Sequence, residues 1–202
     1  VFNKTHIEGL EFDPIEHSYY FNGVKCAGVT GTLENVGISD FSMVPIHILE
    51  KAQEFGTEVH KRCEDSDLGR LDESTLTKKV ALHVFQWIKF LKEMNVKILE
   101  VEHVIFHPVY KYAGTLDRIA EINGKRFILD IKTGKKMKSH QIQTAAYLGA
   151  YQTDKRTSFF RACVHLAEKG YSIEEHKNKG DFSIFLAALS IRNYKENKKA
   201  GA

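Results

Sequence analysis

The sequence predicts an α/β (α+β) fold in which helices and strands interleave behind an N-terminal β-meander. Residues 10–29 alternate and carry turn signals. From Ser42 to Cys63, and again from Leu76 to about Asn95, apolar residues instead recur every three or four positions. Residues 112–134 form two strand-like runs joined by Asn123-Gly124. At 202 residues the chain suits one well-buried domain, divided here into a β-rich extension (1–40), a core (41–194) and a basic tail (195–202). Its 43% hydrophobic and 27% charged content is ordinary for a globular protein, so disorder is expected only at the ends.

In the meander, Asp13-Pro14 and Asn22-Gly23 mark turns around short strands at Ser18–Phe21 and Val24–Ala27, with Tyr19, Tyr20 and Phe21 read as packing residues. Pro45 suits the first turn of a helix whose apolar side carries Ile46, Leu49, Ala52, Phe55, Val59 and Cys63. Gly56 either kinks that helix or separates two, and His60, beside Val59, reads locally as a buried structural histidine. Residues 66–74 are polar and turn-like. Leu76, Val80, Val84, Ile88 and Leu91 then mark a long amphipathic helix with Trp87 as a packing residue.

Val96–Phe106 reads as a strand with Glu100, Glu102, Val104 and Phe106 on one face, and Glu102 is open to two readings, metal ligand or solvated carboxylate. Ser139 is the expected N-cap of a helix over Gln141–Tyr151, along which Gln143, Tyr147 and Tyr151 form a stripe. That stripe is either the edge of a core or a nucleotide contact. Thr157–Ala167 and Tyr171–His176 are expected as an antiparallel pair, followed by a helix over Asp181–Tyr194 and a lysine-rich end.

The hairpin carries the chemistry. Asn-Gly is favoured in a two-residue type I′ turn because both positions need φ > 0. Paired positions then sum to 247, which sets Ile122 against Lys125 and Asp117 against Asp130. Like charges opposed at Cβ separations of ~4.5–5.5 Å repel, so an ordinary sheet would avoid the arrangement. Lys132, two residues past Asp130, points to the same face. Two close carboxylates are explained by a divalent cation between them, with the lysine holding an anionic group beside it. This points to metal-assisted attack on a phosphate. The plainer alternative places both acids at solvated strand ends.

The formal net charge is +3, which permits a polyanionic partner without requiring one, and Lys135, Lys136 and Lys138 follow the candidate site at once. Cys26, Cys63 and Cys163 are odd in number and widely spaced, arguing against a disulfide framework or a Cys-x-x-Cys metal site and for a reducing, cytoplasmic compartment. No apolar run approaches ~20 residues and no secretory signal is apparent, so no membrane association is expected. His103 and His107 are four apart on a strand, where that spacing gives no shared face.

Four motifs in order, Gly56-Thr57-x-x-His60, Gly114-x-x-Asp117-Arg118, Leu129-Asp130-Ile131-Lys132-Thr133 and Gln143-x-x-x-Tyr147, resemble the PD-(D/E)XK nuclease superfamily, and within it the RecB-like, phage-type exonucleases. The resemblance implies a restriction-endonuclease-like core, a central mixed β-sheet flanked by helices. It implies a Mg²⁺ or Mn²⁺ site made by Asp117, Asp130, the Ile131 carbonyl and His60, with Glu102 as a possible addition, and it reverses the local reading of His60. Lys132 would act on the attacking water or the phosphate, while Gln143 and Tyr147 would position nucleic acid. The basic loop Lys135, Lys136 and Lys138 would track the backbone.

Some RecB-like nucleases hold an iron–sulfur cluster on one cysteine before the core and several after it. Only Cys163 follows the core here, so no cluster is expected; no Gly-rich phosphate loop is present either, so no nucleotide cofactor is. The implied activity is DNA exonuclease, with structure-specific endonuclease and non-catalytic DNA binding as alternatives. A single-strand annealing protein as partner and a ring-shaped oligomer are implied by analogy alone, as is a bacterial or phage-infected host cell. A zinc hydrolase lacks a helical His-x-x-x-His near the acids.

Overall fold

The computed structural model describes residues 7–151 and 158–200, without the side chains of 199 and 200. Strands β1 (Leu10–Asp13), β2 (Ser18–Phe21) and β3 (Val24–Gly28) form the expected antiparallel meander. It does not stand apart from the rest. Ala27 and Gly28 pair in parallel with Tyr112 and Ala113 at the start of β5 (Tyr112–Ile122). Strand β4 (Lys97–Phe106) runs antiparallel along the other edge of β5. Then β6 (Lys125–Lys132) returns antiparallel to β5, β7 (Phe159–Ala167) lies parallel to β6, and β8 (Gly170–Glu175) closes antiparallel to β7. The result is one eight-stranded mixed sheet.

Helices cover both faces, because the central strands are apolar on both sides. On one face, α1 (Val29–Asn35), α4 (Lys138–Tyr151) and α5 (Asp181–Ala200) pack on Tyr112, Leu116, Ile119 and Ile128. On the other, α2 (Ile46–Asp67) and α3 (Lys78–Glu93) pack on Ala120, Ile122, Phe127, Leu129 and Ile131. A smaller cluster of Tyr19, Cys26, Phe106 and Ala113 seats the meander, with Phe21 stacked on Phe106 at 4.3 Å. Each large apolar side chain buried in these layers contributes roughly 1.5–3 kcal/mol, and Trp87 and Phe90 of α3 are fully buried.

Several expectations are corrected. Gly56 does not divide its helix: α2 is continuous over 22 residues. A Cβ there would make only an ordinary contact, 3.5 Å from Thr133 Oγ1. Ser139 is not an N-cap but a buried residue inside α4, which begins at Lys138. Helix α1, too short to show a period, was not foreseen; burial of Val29, Thr32 and Leu33 and a bond from Thr32 Oγ1 to the Gly28 carbonyl (2.7 Å) hold it. Thr157 lies outside the described residues, and β7 begins at Phe159. Helix α5 runs on to Ala200, so Lys195 and Lys198 belong to a helix.

Strand β4 departs from simple alternation. Its register slips between Ile98 and Glu100, and Glu102 has φ +48°. Glu100 therefore meets Tyr151 of α4 (3.1 Å), whereas Glu102 meets Arg118 (2.9 Å) on the α2 side. The two acids do not share a face.

Candidate active site

The β5–β6 hairpin follows the expected register over half its length. Ile122–Lys125 through Arg118–Leu129 pair with the sum 247, across a turn with φ +50° at Asn123 and +72° at Gly124. The next pair would be Asp117–Asp130, and there the ladder stops. On that edge of β5 the next backbone partner among the described residues is β3, at Ala113. The Ile131 N–H, which a regular ladder would give to backbone, donates to Asp117 Oδ2 at 2.6 Å.

The single acidic face is thus corrected. Asp130 and Lys132 lie on the α4 face, while Asp117 sits at the break: Leu116 and Ile119, three apart, both reach the α4-side core, so alternation fails between them. The left-handed Glu102 on β4, between the paired positions Val101–Arg118 and His103–Leu116, is the matching irregularity. Through the opening, groups from both faces of the sheet meet. His60 of α2 approaches Asp117 Oδ2 at 3.4 Å, and Lys132 Nζ reaches Asp130 Oδ2 at 2.7 Å and Gln143 Oε1 of α4 at 3.0 Å.

Burial sets the electrostatics and neighbouring charges decide the outcome. For Asp117, burial works upward, but His60, Lys132 and Arg118 outweigh it and hold the carboxyl down at about 2. Asp130, 2% exposed, goes the other way: burial raises it, Lys132 opposes, and the like charge of Asp117 adds to the rise. Burial would lower the Lys132 pKa, yet Asp130 and Asp117 raise it and keep the ammonium charged. His60 behaves likewise, with burial overcome by Asp117.

Behind Asp117 lies a second charged layer. Arg118, fully buried, donates to Asp67 Oδ2 of α2 at 2.5 Å and to Glu102 Oε1 at 2.9 Å, and Trp87 Nε1 donates to the other Asp67 oxygen at 2.9 Å. Asp67 lies about two turns beyond His60, so this clamp fixes where α2 sits along β5. Glu102 is partly exposed but not bare: burial and Asp117 push it up to about 7 against the pull of Arg118 and His60.

Gln143 and Tyr147 are brought to the site as supports. Gln143 Nε2 donates to Tyr147 Oη (2.8 Å) and Thr30 Oγ1 (3.1 Å), while its carbonyl oxygen holds Lys132. Tyr147 is only 5% exposed and packs on Gly114, where a Cβ would come within 3.1 Å of its ring. Gln143 is buried as well, at 8% exposed, whereas Thr30 is exposed. Lys135, Lys136 and Lys138 are exposed on the segment that leaves Lys132, and Tyr151 turns away to Glu100.

The family model of the PD-(D/E)XK nuclease superfamily matches residues 47–185, well over half of the chain. The chain belongs to the PD-(D/E)XK nuclease superfamily. Mouse mitochondrial genome maintenance exonuclease 1 is 36% identical over 70 residues, which is 31% of this chain and 21% of that protein, so the likeness spans about a fifth of the relative's length. A solved structure from Eubacterium rectale, provisionally described as an exonuclease, superposes with a TM-score of 0.51 at 15% identity, covering 84% of this chain and 79% of the other, a likeness of fold. An alkaline exonuclease from Laribacter hongkongensis covers 87% of this chain and 94% of its own at 12% identity, with a TM-score of 0.40.

Within this nuclease fold, sequence reasoning missed Asp67, Thr30 and Cys163. Asp67 lies in a stretch read as a turn because its acids and Gly69 look solvated. Thr30 precedes the site by more than a hundred residues, and Cys163 carries no motif. The pairing of Cys163 with Asp130 across the parallel β6–β7 ladder, with Sγ 3.5 Å from Asp130 Oδ2, was a signal only a strand register could supply.

Proposed function

We propose that this domain is a Mg²⁺- or Mn²⁺-dependent deoxyribonuclease that degrades DNA from an end. The observation that carries the reading is the opening of the hairpin ladder at Asp117 and Asp130, with Lys132 held between Asp130 and Gln143. Sheets do not give up backbone bonds and bury like charges without compensation.

The donor set suits a hard divalent cation: two buried carboxylates whose repulsion a cation would relieve, and the Ile131 carbonyl, which projects from the same strand edge as its N–H to Asp117. His60 and Glu102 complete the candidate ligands. A bound divalent cation would supply a water of lowered pKa and positive charge against the scissile phosphate. The chain's own residues do the rest. Asp117, ionised throughout the neutral range, fixes the β6 backbone through Ile131. Lys132, kept charged, faces the phosphate oxygens on which charge accumulates while water oxygen bonds to phosphorus and the ester P–O bond breaks. Gln143 and Tyr147 hold Lys132 in place, and Lys135, Lys136 and Lys138 attract the backbone in a salt-dependent way with little sequence preference.

Exonuclease rather than endonuclease is supported by the likeness to the mouse mitochondrial exonuclease and to the Eubacterium rectale structure. Work in bacterial or phage DNA recombination or repair, in the cytoplasm and beside a single-strand annealing protein, belongs to the same reading. The test is digestion of 5′- and 3′-labelled single- and double-stranded DNA with Mg²⁺, beside Asp130→Asn and Lys132→Ala. Both variants are expected to lose at least about 10²–10³-fold in rate. An Asp130→Asn protein that cuts like the parent would sink the assignment, and nicking of closed circles would replace exonuclease by endonuclease.

A further inference from the structure

A second cluster of metal-ligating side chains lies one strand away, on the same α4 face. Cys163 and His165 alternate on β7, opposite Asp130 and Lys132 of β6, and His140 descends on them from the first turn of α4. One donor atom from each of the three lies within 4.8 Å of the others. All three residues are buried, at 8% exposure for His140, 0% for Cys163 and 7% for His165.

The hydrogen bonding around them is incomplete in one place. His165 sets its Nε2 against Glu174 Oε2 at 3.2 Å, while its buried Nδ1 makes no hydrogen bond of good geometry, the Gly134 backbone near the ring being its nearest support. A buried imidazole nitrogen without a well-formed hydrogen bond is costly, and a histidine whose other nitrogen rests on a carboxylate is oriented as metal-binding histidines are. His140 has its Nδ1 3.4 Å from the Met137 N–H, a long bond that costs little to lose.

We propose that His140, Cys163 and His165 form a site for a borderline-soft divalent cation, Zn²⁺ being the representative, separate from the oxygen-lined catalytic centre. The donor types decide the class: two imidazoles and one thiolate select zinc over magnesium, and three protein ligands leave a fourth position open. Zinc–ligand bonds of ~2.0–2.3 Å put tetrahedral donors about 3.3–3.6 Å apart, so the cluster closes by roughly 1 Å on binding. The neutral state of His140, whose pKa burial, Lys132 and the other histidines lower to about 3, is the ligating one. Burial holds the Cys163 thiol protonated without metal. Coordination releases that proton to solvent as the sulfur lone pair binds the cation. Cys163 then no longer donates to Asp130, which links this site to the catalytic acids.

The inference is independent of the proposed activity, and cobalt tests it. The chelator-stripped full chain is titrated with Co²⁺ in excess Mg²⁺. The expected result is thiolate-to-cobalt charge-transfer absorption saturating at one equivalent, bleached by Zn²⁺, retained in Asp117→Asn and lost in Cys163→Ser. Glu174→Gln, at a half-exposed position that leaves folding intact, is expected to weaken cobalt binding about 10–100-fold. Absence of the charge-transfer band at one equivalent, the same band in Cys163→Ser, its loss in Asp117→Asn, or unchanged affinity in Glu174→Gln would each overturn the proposal.

Discussion

The two halves of the β5–β6 hairpin share one turn and do opposite things. From Ile122–Lys125 to Arg118–Leu129 the strands are paired, and Ile119, Ala120, Phe127, Ile128 and Leu129 fill both core layers. Beyond Arg118 the strands part, and buried space goes to Asp117, Asp130 and Lys132. The closed half is held by its backbone ladder and by apolar burial. From the Arg118–Leu129 pair outward each charge persists because another holds it: Asp117 by His60 and Lys132, Lys132 by Asp130, Arg118 by Asp67 and Glu102. Damage to the closed half should therefore lower stability and spare chemistry, and damage to the open half should do the reverse or both.

The largest effect is expected where the open half is anchored. Asp67→Leu leaves Arg118 buried with one bond lost to α2, and removing one partner of a buried pair costs about 3–5 kcal/mol. Urea unfolding measures it. Arg118 is 0% exposed, so no solvent screening softens the loss. A change below about 1 kcal/mol would mean that the clamp is not what seats α2.

Acid should weaken the fold through His140. Burial, Lys132 and the neighbouring histidines hold His140 at about 3 against an ordinary 6.5. The unfolded chain therefore takes up this proton first on acidification. The resulting stabilisation is complete above about pH 6.5 and drains away as pH falls towards 3. In chelator, His140→Gln should flatten that slope, and Lys132→Met should raise the His140 pKa seen by NMR titration. An unmoved His140 would mean that Lys132 does not face it.

The same contrast explains what the sequence made legible. The closed half was readable because Asn123-Gly124 and strand alternation are local signals, and they fixed the register correctly as far as Arg118–Leu129. The two acids stand out in the sequence because that register points at them, although the ladder ends one pair short. What could not be read depends on non-local partners. Asp67 meets Arg118 only after α2 lies across β5, and Cys163 meets Asp130 only through a parallel crossover. The left-handed Glu102, which breaks the alternation assumed for β4, leaves no mark in its neighbours. Ser139 looked like a cap because serine favours that position, yet burial against the core took it into the helix.

A smaller effect is expected at Gly114, the first residue of the open edge. A Cβ there meets the Tyr147 ring at 3.1 Å and Val29 Cγ2 at 3.3 Å. Overpacking of this kind costs about 1–3 kcal/mol, and here the displaced ring carries Gln143, and with it Lys132. Gly114→Ala should therefore lower kcat as well as stability, with KM less affected. If stability falls and kcat stays at the parental value, Tyr147 does not position the lysine.

The smallest effect is expected at the far end of the closed half. Gly124 has φ +72° with open space around it, so Gly124→Ala adds no contact and only forces an L-residue into the left-handed region. That costs about 1–2 kcal/mol. Five ladder pairs separate the turn from the acids, and those pairs hold the register whether or not the turn is strained. The midpoint of urea unfolding should drop while kcat and the metal dependence of cleavage remain those of the parent. A loss of activity greater than the loss of stability accounts for would show that the turn reaches the acids through the paired strands, and the division of the hairpin into a supporting half and a chemical half would fail.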